Sequence, residues 1–272
     1  MHFHLHGYGY VGRAVVNKFA ERDSFTIFDP LHPELETCTD KDPDGVIVCV
    51  PTPENVTFNV EGSCDFSIVS SVVKQYDRQI PILVKSTIDQ TGLDQLVDWN
   101  VTFNPEFLRA ETADADYAGQ THIYIGGGSV DFWEMVFFRH FAKAYIVKSD
   151  IPTLVLTKYL KNAFLATKVA FFNQVYDICQ KQGVKFEDVR KFVTQDARIG
   201  DSHSWVTEER GFGGACFPKD TRALVYEHPE ATIVADAVRY NNEVEVRMIN
   251  NNIQQTKEFN EINFRQFQSR PL

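Results

Sequence analysis

A glycine-rich turn directly after the first apolar run constrains the fold of this chain more than any other sequence feature. Residues 3–6 form a strand-like run, and residues 7–12 follow as G-x-G-x-x-G and lead straight into a helical pattern. In such a unit the first glycine permits a tight turn, the second lets the backbone approach a pyrophosphate, and the third lets the helix pack on the strand. The helix N-terminus adds free N–H groups and partial positive charge. Alone, the pattern is weak evidence, because many glycine-rich turns bind nothing.

The second predicted strand supports the motif. It covers residues 25–28 and is followed by Asp29, about 20 residues beyond the glycines, where a dinucleotide site has its acid. A carboxylate at that point accepts a hydrogen bond from a ribose 2′-hydroxyl and repels the extra phosphate of NADP. We therefore predict an NAD site and set aside the alternative of a surface acid after a strand.

Strand-like and helical patterns alternate through the first half of the chain. Further apolar runs rich in β-branched residues lie at 46–50, 82–85, 101–103, 122–125 and 144–147. Helical patterns lie between several of them, at 9–20, 66–76 and 130–141. This alternation, with nearly continuous apolar strands, indicates a parallel sheet covered on both faces. The fold class predicted for residues 1–148 is α/β, a Rossmann-like doubly wound parallel sheet.

The pattern becomes helical from residue 150 onward. Ser149 or Asp150 is a candidate N-cap, Pro152 suits a first turn, and Gly183 ends the run. A helix of about 30 residues is roughly 45 Å long, the length of a whole domain. Shorter helical patterns follow at 186–193, 221–226 and 231–252. We predict an all-α domain over residues 149–257 and a frayed polar tail over 258–272.

Composition bounds the function. At roughly 150 residues per domain, 272 residues favour two domains. The chain carries 27 Lys and Arg against 37 Asp and Glu, a net charge of −10 that disfavours nucleic-acid binding. No apolar run approaches the roughly 18 residues of a membrane span, and no basic-then-apolar leader opens the chain. These features predict a soluble, cytoplasmic protein that binds neither membrane nor nucleic acid.

The cysteines point to a single reactive thiol. Five cysteines at irregular spacings, without a CxxC pair, disfavour a disulfide framework or a zinc ribbon. Residues 211–220 read GFGGACFPKD, so Cys216 follows a glycine run and precedes a helix in which Pro218 suits the first turn. The helix N-terminus and Lys219 both favour its thiolate. Cys49, predicted mid-strand, and Cys179, within the long helix, have the setting of small buried residues. A structural role for Cys216 is the alternative.

Three histidines on the first strand offer a different class of function. His2, His4 and His6 share one face of a strand, and a His-x-His pair there can ligate a metal, as in a metal-dependent hydrolase. The glycine motif follows at once, and no further metal-ligand pattern accompanies it. We favour polar strand residues partly covered by their neighbours, and we predict no metal.

Together the motifs resemble the nucleotide-sugar dehydrogenases of the UDP-glucose/GDP-mannose dehydrogenase family. The matching pieces occur in the family's order and cover most of residues 1–250. They are GYGYVG at 7–12, VPTP at 50–53, KST at 85–87, NPEFLR at 104–109, K-x-x-x-NAFLA at 158–166, RIG at 198–200 and GFGGACFPKD at 211–220.

The resemblance implies a four-electron oxidation of a sugar C6 alcohol to a carboxylate, with two NAD+ and no release of aldehyde. UDP-glucose is the best single substrate. Cys216 is implied to trap the aldehyde as a thiohemiacetal, and the second hydride transfer leaves a thioester that water cleaves. Lys158 and Asn162, four residues apart on one helix, are implied to stabilise the alkoxide and oxyanion.

The remaining site residues also come from the resemblance. Asp220 and Glu106 are implied to position or activate water, and Thr87 to order it. The implied NAD-binding residues are Gly7, Gly9, Tyr10, Val11, Gly12, Asp29, Val50, Thr52, Pro53, Ser86 and Thr87. The implied substrate-binding residues are Glu106, Phe107, Leu108, Arg109, Lys158, Asn162, Arg198, Phe212 and Gly213.

Assembly is implied as well. Arg198 resembles an arginine that reaches the neighbouring subunit's sugar site in family dimers, and the long apolar helix is the expected dimer contact. The active site is expected in the cleft between the two domains. Family members usually carry a third domain that grips the nucleotide. No second glycine-rich strand–turn–helix follows residue 230, which predicts a short form lacking that domain, a partner subunit in its place, or a fragment.

Two other functions remain open at this stage. One is a two-electron dehydrogenase of small hydroxy acids, which also joins a dinucleotide-binding domain to helices. The other is a non-catalytic relative that binds NAD or a nucleotide sugar. The number of NADH formed per substrate separates the two dehydrogenases, and substitution of Cys216 tests catalysis.

Overall fold

A computed structural model of the chain describes residues 1–36, 41–54, 64–89, 92, 96 and 99–268, with side chains as far as residue 250. Internal contacts divide the chain into two units, Met1–Leu160 (unit 1) and Lys161–Leu272 (unit 2). The division falls inside the helix at Ile151–Gln182.

Unit 1 contains a seven-stranded sheet. The strands are β1 (His2–His6), β2 (Ser24–Phe28), β3 (Gly45–Val48), β4 (Ile82–Val84), β5 (Val101–Phe103), β6 (His122–Gly127) and β7 (Tyr145–Lys148). Their order is β2-β1-β3-β4-β5-β6-β7. Phe3 of β1 lies opposite Phe25 on one side and Gly45 on the other, and both pairings are parallel. The predicted Rossmann-like α/β class is confirmed.

The sheet is buried because helices cover its faces. These helices are α1 (Tyr10–Phe19), α2 (Ser67–Val73), α3 (Ala113–Ala118) and α4 (Val130–His140). Strands β3, β4 and β5 are buried at every position, as the apolar composition of a parallel sheet predicts. The largest core side chains meet around β1, where the Phe3 ring stacks on Trp133 at 5.7 Å. Full burial of such a ring stabilises the fold by about 2–3 kcal/mol.

One pair of strands departs from the predicted parallel sheet. β5 and β6 are antiparallel, with Thr102 opposite Gly127, whereas β6 and β7 are parallel to each other. Between β5 and β6 the chain forms a 3-10 turn at Ala110–Thr112 and the six-residue α3, which packs against α1. The connection thus brings the chain into β6 antiparallel to β5, instead of returning it for a parallel strand as a crossover would.

The long helix α5 spans Ile151–Gln182, as predicted. Asp150 caps it, because its Oδ1 accepts a hydrogen bond from the Thr153 N–H at 2.7 Å. Gly183, with φ of +67°, ends it in the left-handed conformation that glycine adopts easily. No helix in the described ranges has the length and apolar character needed to cross a bilayer.

Three more helices follow in unit 2. They are α6 (Phe186–Thr194), α7 (Phe217–Glu227) and α8 (Thr232–Gln268). Phe172, Cys179 and Phe186 form one of its small cores. We predicted a frayed tail after Lys257, but α8 continues through this segment to Gln268. The segment contains no glycine, and its first proline is Pro271, so nothing in its sequence breaks the helix.

Candidate active site

Residues 7–12, the glycine turn, form a tight cradle after β1. Gly7 has φ of +90°, and a Cβ on it would lie 2.6 Å from the Cys49 carbonyl oxygen. A Cβ on Gly12 would lie 2.0 Å from the Gly7 carbonyl oxygen. Gly9 is exposed instead, and a Cβ on it would meet nothing within 4 Å. The turn is therefore closed by backbone packing and open at the position where a pyrophosphate would approach.

The cradle lies where the strand order reverses. β1 pairs with β2 on one side and β3 on the other, and ligands of such sheets bind at this switch point, beyond the carboxyl ends of the strands. Other predicted NAD-binding residues follow strands at the same edge: Val50, Thr52 and Pro53 after β3, and Ser86 and Thr87 after β4. The Ser86 hydroxyl donates a hydrogen bond to the Val50 carbonyl at 2.7 Å, which ties these two segments together.

Asp29 holds the turn from the end of β2. Its Oδ2 accepts a hydrogen bond from the Tyr8 N–H at 2.5 Å, and its Oδ1 accepts one from the Leu31 N–H at 2.8 Å. Each carboxylate oxygen keeps a second lone pair, which can accept from a ribose hydroxyl. The open cradle at Gly9, the tight closure at Gly12 and this acid together fit a bound NAD.

The histidines of β1 hydrogen-bond to groups in unit 1. The His2 ring contacts the hydroxyls of Ser24 and Thr26 at 2.9 and 3.1 Å. The rings of His4 and His6 both contact the Tyr76 hydroxyl, at 3.0 and 2.6 Å. Burial lowers the pKa of His6 to about 4. In the part of the chain that the structure describes, no three His, Cys, Asp or Glu side chains are grouped as a metal site would require.

A cluster of buried polar side chains lies where β4 and β5 end. The Lys85 ammonium donates to Asn104 Oδ1 at 2.5 Å, and the Asn104 amide donates to the Tyr124 carbonyl of β6 at 2.7 Å. Glu106 and Lys158 are also buried, and both charges act on Lys85. Burial lowers the pKa of Lys85 to about 8, although Glu106 opposes the change. The sequence motifs identified Glu106 and Lys158 but not Lys85 and Asn104, which stand in the matched KST and NPEFLR strings.

The loop after Asn104 is held by contacts within unit 1. Glu106 Oε1 accepts a hydrogen bond from the Leu108 N–H at 2.9 Å, and the Phe107 ring lies edge-on to Tyr124. Arg109 is exposed and forms an ion pair with Asp116 at 2.7 Å. Of the predicted substrate-binding residues in this loop, Glu106 is buried, Phe107 and Leu108 are half-buried, and Arg109 lies at the surface.

The thiol of Cys216 lies at a helix N-terminus in unit 2. Cys216 is half-buried and is the N-cap residue of α7, with a proline in the first turn. Its carbonyl accepts the Asp220 N–H at 2.8 Å, which starts the helix. Asp220 is fully buried, and its Oδ2 accepts a hydrogen bond from the Asn162 amide at 2.6 Å. The Lys219 ammonium lies 3.2 Å from the other Asp220 oxygen. Three predicted catalytic residues of unit 2 therefore come together.

Phe212 and Gly213 precede this thiol. The Phe212 ring is buried against Ala166, Ala170 and Ala237, and its N–H and carbonyl are both hydrogen-bonded to Asn241. Gly213 is exposed. Sequence analysis did not identify Asn241, because a polar residue in a helical pattern is ordinarily a surface position.

Arg198 lies on a separate turn of unit 2. Its side chain is 89% exposed and pairs with Asp196. Lys168 of α5 fixes the turn by donating to the carbonyls of Ile199 and Gly200 at 2.7 and 2.9 Å. The arginine is thus presented outward from an anchored backbone.

The other cysteines have different surroundings. Cys49 lies just past β3, not mid-strand, and burial raises the pKa of its thiol to about 12. Cys64 and Cys179 are buried. Cys38 lies outside the described residues. Among the four described cysteines, Cys216 alone is the N-cap residue of a helix.

Comparison with known proteins gives a consistent match. The central domain of the UDP-glucose/GDP-mannose dehydrogenase family matches residues 154–250. The UDP-glucose 6-dehydrogenase of Rickettsia conorii is 32% identical over 192 residues, which are 66% of this chain and 44% of that protein. The UDP-glucose 6-dehydrogenase YwqF of Bacillus subtilis is 30% identical over 225 residues, which are 76% of this chain and 50% of that protein. The chain thus spans about half the length of these curated relatives.

A solved structure shares the fold. A UDP-glucose dehydrogenase from Pyrobaculum islandicum matches with a TM-score of 0.77 at 24% identity, over 94% of this chain and 70% of that one. That likeness supports the architecture described above, and the sequence matches add the relationship. The chain belongs to the UDP-glucose/GDP-mannose dehydrogenase family.

Proposed function

We propose that this chain is an NAD-dependent nucleotide-sugar 6-dehydrogenase, with UDP-glucose as substrate and UDP-glucuronate as product. The observation that carries the proposal is the arrangement in unit 2, where Cys216 caps α7 one turn from the buried Asp220, which Asn162 binds. A thiol at a helix N-terminus beside buried polar groups suits covalent catalysis better than structural packing. The names of the similar proteins support UDP-glucose among nucleotide sugars.

Unit 1 would bind the cofactor. The glycine turn and Asp29 would hold the pyrophosphate and ribose, and Val50, Thr52, Pro53, Ser86 and Thr87 would line the same edge of the sheet. NAD+ supplies a hydride acceptor when bound, and the protein's part is to hold it and to place the substrate carbon.

The first oxidation converts the C6 alcohol to an aldehyde. As a hydride leaves the carbon and a proton leaves the hydroxyl, negative charge develops on the oxygen. The Lys158 ammonium and the Asn162 amide would stabilise that charge. Such preorganised donors often account for several kcal/mol of rate enhancement.

The second oxidation uses the thiol. Cys216 Sγ adds to the aldehyde carbon, and the carbonyl oxygen takes up a proton to give a thiohemiacetal. Loss of a second hydride and the hydroxyl proton leaves a thioester. Water, positioned by Asp220 or Glu106 with Thr87, attacks its carbonyl, and the C–S bond breaks to return the thiol and release the carboxylate. In sum, one alcohol, two NAD+ and one water give one carboxylate, two NADH and three protons.

We also propose a homodimer formed through α5. Phe164, Phe171 and Ile178 are exposed and seven residues apart, so they form one apolar stripe along the helix. An apolar stripe of this kind is a typical association surface. In such a dimer Arg198 would reach the partner's sugar site. Sedimentation of a stable monomer would contradict this assembly.

The decisive experiment incubates the chain with NAD+ and a panel of nucleotide sugars, and counts the NADH formed per sugar consumed. Two NADH per UDP-glucose are expected, because the thiol retains the aldehyde for the second oxidation. Cys216→Ser should abolish carboxylate formation, whereas Cys179→Ala should not. NAD+ titration of both variants checks that the cofactor site is intact.

Each alternative gives a different outcome. One NADH per substrate would favour a two-electron dehydrogenase. Binding of NAD+ or a nucleotide sugar without turnover would favour a non-catalytic relative. Unchanged turnover in Cys216→Ser would overturn the catalytic assignment.

A further inference from the structure

The backbone takes an unusual course just before the glycine run of unit 2. Arg210 and Gly211 both have left-handed φ angles, +61° and +65°. That conformation is costly for a residue other than glycine, by roughly 1–2 kcal/mol, and persists where surrounding contacts hold it. Residues 211–216, the thiol loop, begin at this bend and end at the N-cap of α7. What holds the bend therefore bears on the position of the thiol.

Asn173 of α5 holds the bend from one side. It is completely buried, and its Oδ1 accepts hydrogen bonds from the Gly211 N–H at 3.0 Å and from Arg210 Nε at 2.9 Å. The Arg210 guanidinium also donates to Asp177 at 2.7 Å and lies over the Tyr176 ring at 4.5 Å. The strained arginine is therefore held by its whole side chain.

Asn241 of α8 holds the next residue from the other side. Its Oδ1 accepts the Phe212 N–H at 2.6 Å, and its amide donates to the Phe212 carbonyl at 3.1 Å. The amide also donates to Glu245 at 3.0 Å, and the side chain is buried. Asn241 thus pairs with both polar groups of Phe212, as a neighbouring β-strand would.

Both ends of the thiol loop rest on one apolar cluster. The Phe212 ring lies among Ala166, Ala170 and Ala237, and the Phe217 ring packs against the same group. The three residues before Cys216 are exposed, and Cβ atoms on Gly213 and Gly214 would meet nothing within 4 Å. Since these exposed residues have little packing of their own, the loop depends on its two ends for its position.

We propose that Asn173 and Asn241 are positioning residues that clamp residues 210–212 and thereby place Cys216 for reaction. The inference deepens the proposed dehydrogenase function and rests on it for its kinetic consequence. The physical reason is that a reactive group on a glycine-rich loop loses rate when the backbone before it samples many conformations. A misplacement of about 1 Å can reduce turnover about a hundredfold.

The test compares Asn173→Ala and Asn241→Ala with Asn242→Ala, a matched change at the exposed neighbouring asparagine. In each protein we would measure kcat and KM for UDP-glucose, and the rates at which iodoacetamide alkylates Cys216 and Cys179. The clamp variants should lose about tenfold or more in kcat, with KM changed by less than about twofold. Their Cys216 should be alkylated faster, because a loosened loop exposes the half-buried thiol.

Cys179 separates positioning from general unfolding, since it is buried elsewhere in unit 2. If Cys179 is alkylated faster in step with Cys216, the asparagines only stabilise the unit, and the proposal is wrong. Asn173→Asp should restore both kcat and the Cys216 alkylation rate, because its carboxylate still accepts from Gly211 and Arg210. Failure of this rescue would also count against the clamp.

Failure of the proposed function would look different. If the wild-type chain oxidises no nucleotide sugar, the dehydrogenase assignment fails, but the alkylation rates still decide whether the clamp positions Cys216. Equal alkylation rates in all three alanine variants would overturn the clamp whatever the activity.

Discussion

The chain contains two glycine-rich segments that look alike in sequence but are built differently. In the glycine turn, backbone meets backbone, and a Cβ on Gly12 would lie 2.0 Å from the Gly7 carbonyl oxygen. In the thiol loop, Gly213 and Gly214 face open space, and side chains from distant helices hold the only closely packed glycine, Gly211. The backbone conformation of the first segment is determined mainly by its own residues. That of the second is held by hydrogen bonds to asparagines far along the chain.

Gly12→Ala should break the first segment most severely. Its methyl group cannot fit beside the Gly7 carbonyl, so we expect unfolding to become easier by about 3 kcal/mol or more, together with loss of NAD+ binding. Thermal unfolding and NAD+ titration measure the two effects. Gly9→Ala is the matched control: it should leave stability unchanged within about 0.5 kcal/mol. It should still weaken NAD+ binding, on the order of tenfold, because its methyl group enters the open cradle. Equal loss of stability in both variants would refute the difference.

The next largest expected difference between the two segments is in how their stability depends on pH. Well above pH 6.5, His6 is neutral in both the folded and the unfolded chain. Between pH 6.5 and about 4 the unfolded chain binds a proton that the folded chain does not. The free energy of unfolding therefore decreases as the pH is lowered through this window. Integrated over that window the loss is about 3 kcal/mol.

Hydrogen exchange of the β1 segment, corrected for the intrinsic effect of pH, should therefore accelerate from pH 7 to pH 5. His6→Gln should reduce that acceleration, whereas substitution of the exposed His122 by Gln should not. The clamp of the thiol loop consists of amides, which do not titrate, so protection of Gly211 and Phe212 should change less. Identical pH dependence in both segments would contradict this interpretation.

Gly211→Ala should have a moderate effect on the second segment. Its φ is +65°, and the added Cβ would lie 2.4 Å from Asn241 Oδ1, so we expect a loss of about 2 kcal/mol in unfolding free energy. Gly213→Ala, with nothing within 4 Å, should change stability by less than about 0.5 kcal/mol. Chemical denaturation of the two variants measures the difference. If alanine is tolerated at Gly211, the side chain of Asn241 must be able to move aside at little cost.

Arg198→Ala should have the smallest effect on stability. The side chain is 89% exposed, and an ion pair at the surface contributes little, so the melting temperature should stay the same. Turnover should nevertheless fall if the arginine serves a partner's sugar site. Arg239→Ala, at another exposed and ion-paired arginine, is the control that should change neither quantity.

The sequence predicted the fold well because the fold depends on local periodicity. Apolar runs, helical spacing, the acid cap at Asp150 and the glycine at 183 each act over a few residues. The direction in which β6 pairs with β5 has no such local signal, because a strand has the same alternation of residues whichever way it runs. The extension of α8 past Lys257 differs from the expected tail because a polar sequence resembles a tail, although it holds no glycine or proline to break the helix before Pro271.

Residues of the candidate site could be predicted from sequence where they stand in a contiguous string. The glycine turn and the thiol at 216 belong to such strings, and Asp29 follows a strand at the distance from the turn that a dinucleotide site requires. Lys85 and Asn104 stood inside matched strings, and only burial shows that they bond to each other. Asn173 and Asn241 have no local sequence signal, because their role depends on hydrogen bonds to residues 210–212, which lie far from them along the chain.

The opposite direction of β6 and β7 has a consequence for the position of Lys158. Had β6 and β7 run parallel to β5, the chain would leave β7 at the edge of the sheet where β4 and β5 end. Because they run in the opposite direction to β5, α5 starts at the other edge, near Gly126, where Leu154 lies close. Seven residues later, about 10 Å along its axis, it delivers the Lys158 ammonium within electrostatic range of Lys85. The direction of β6 and β7 thereby determines where the Lys158 ammonium lies.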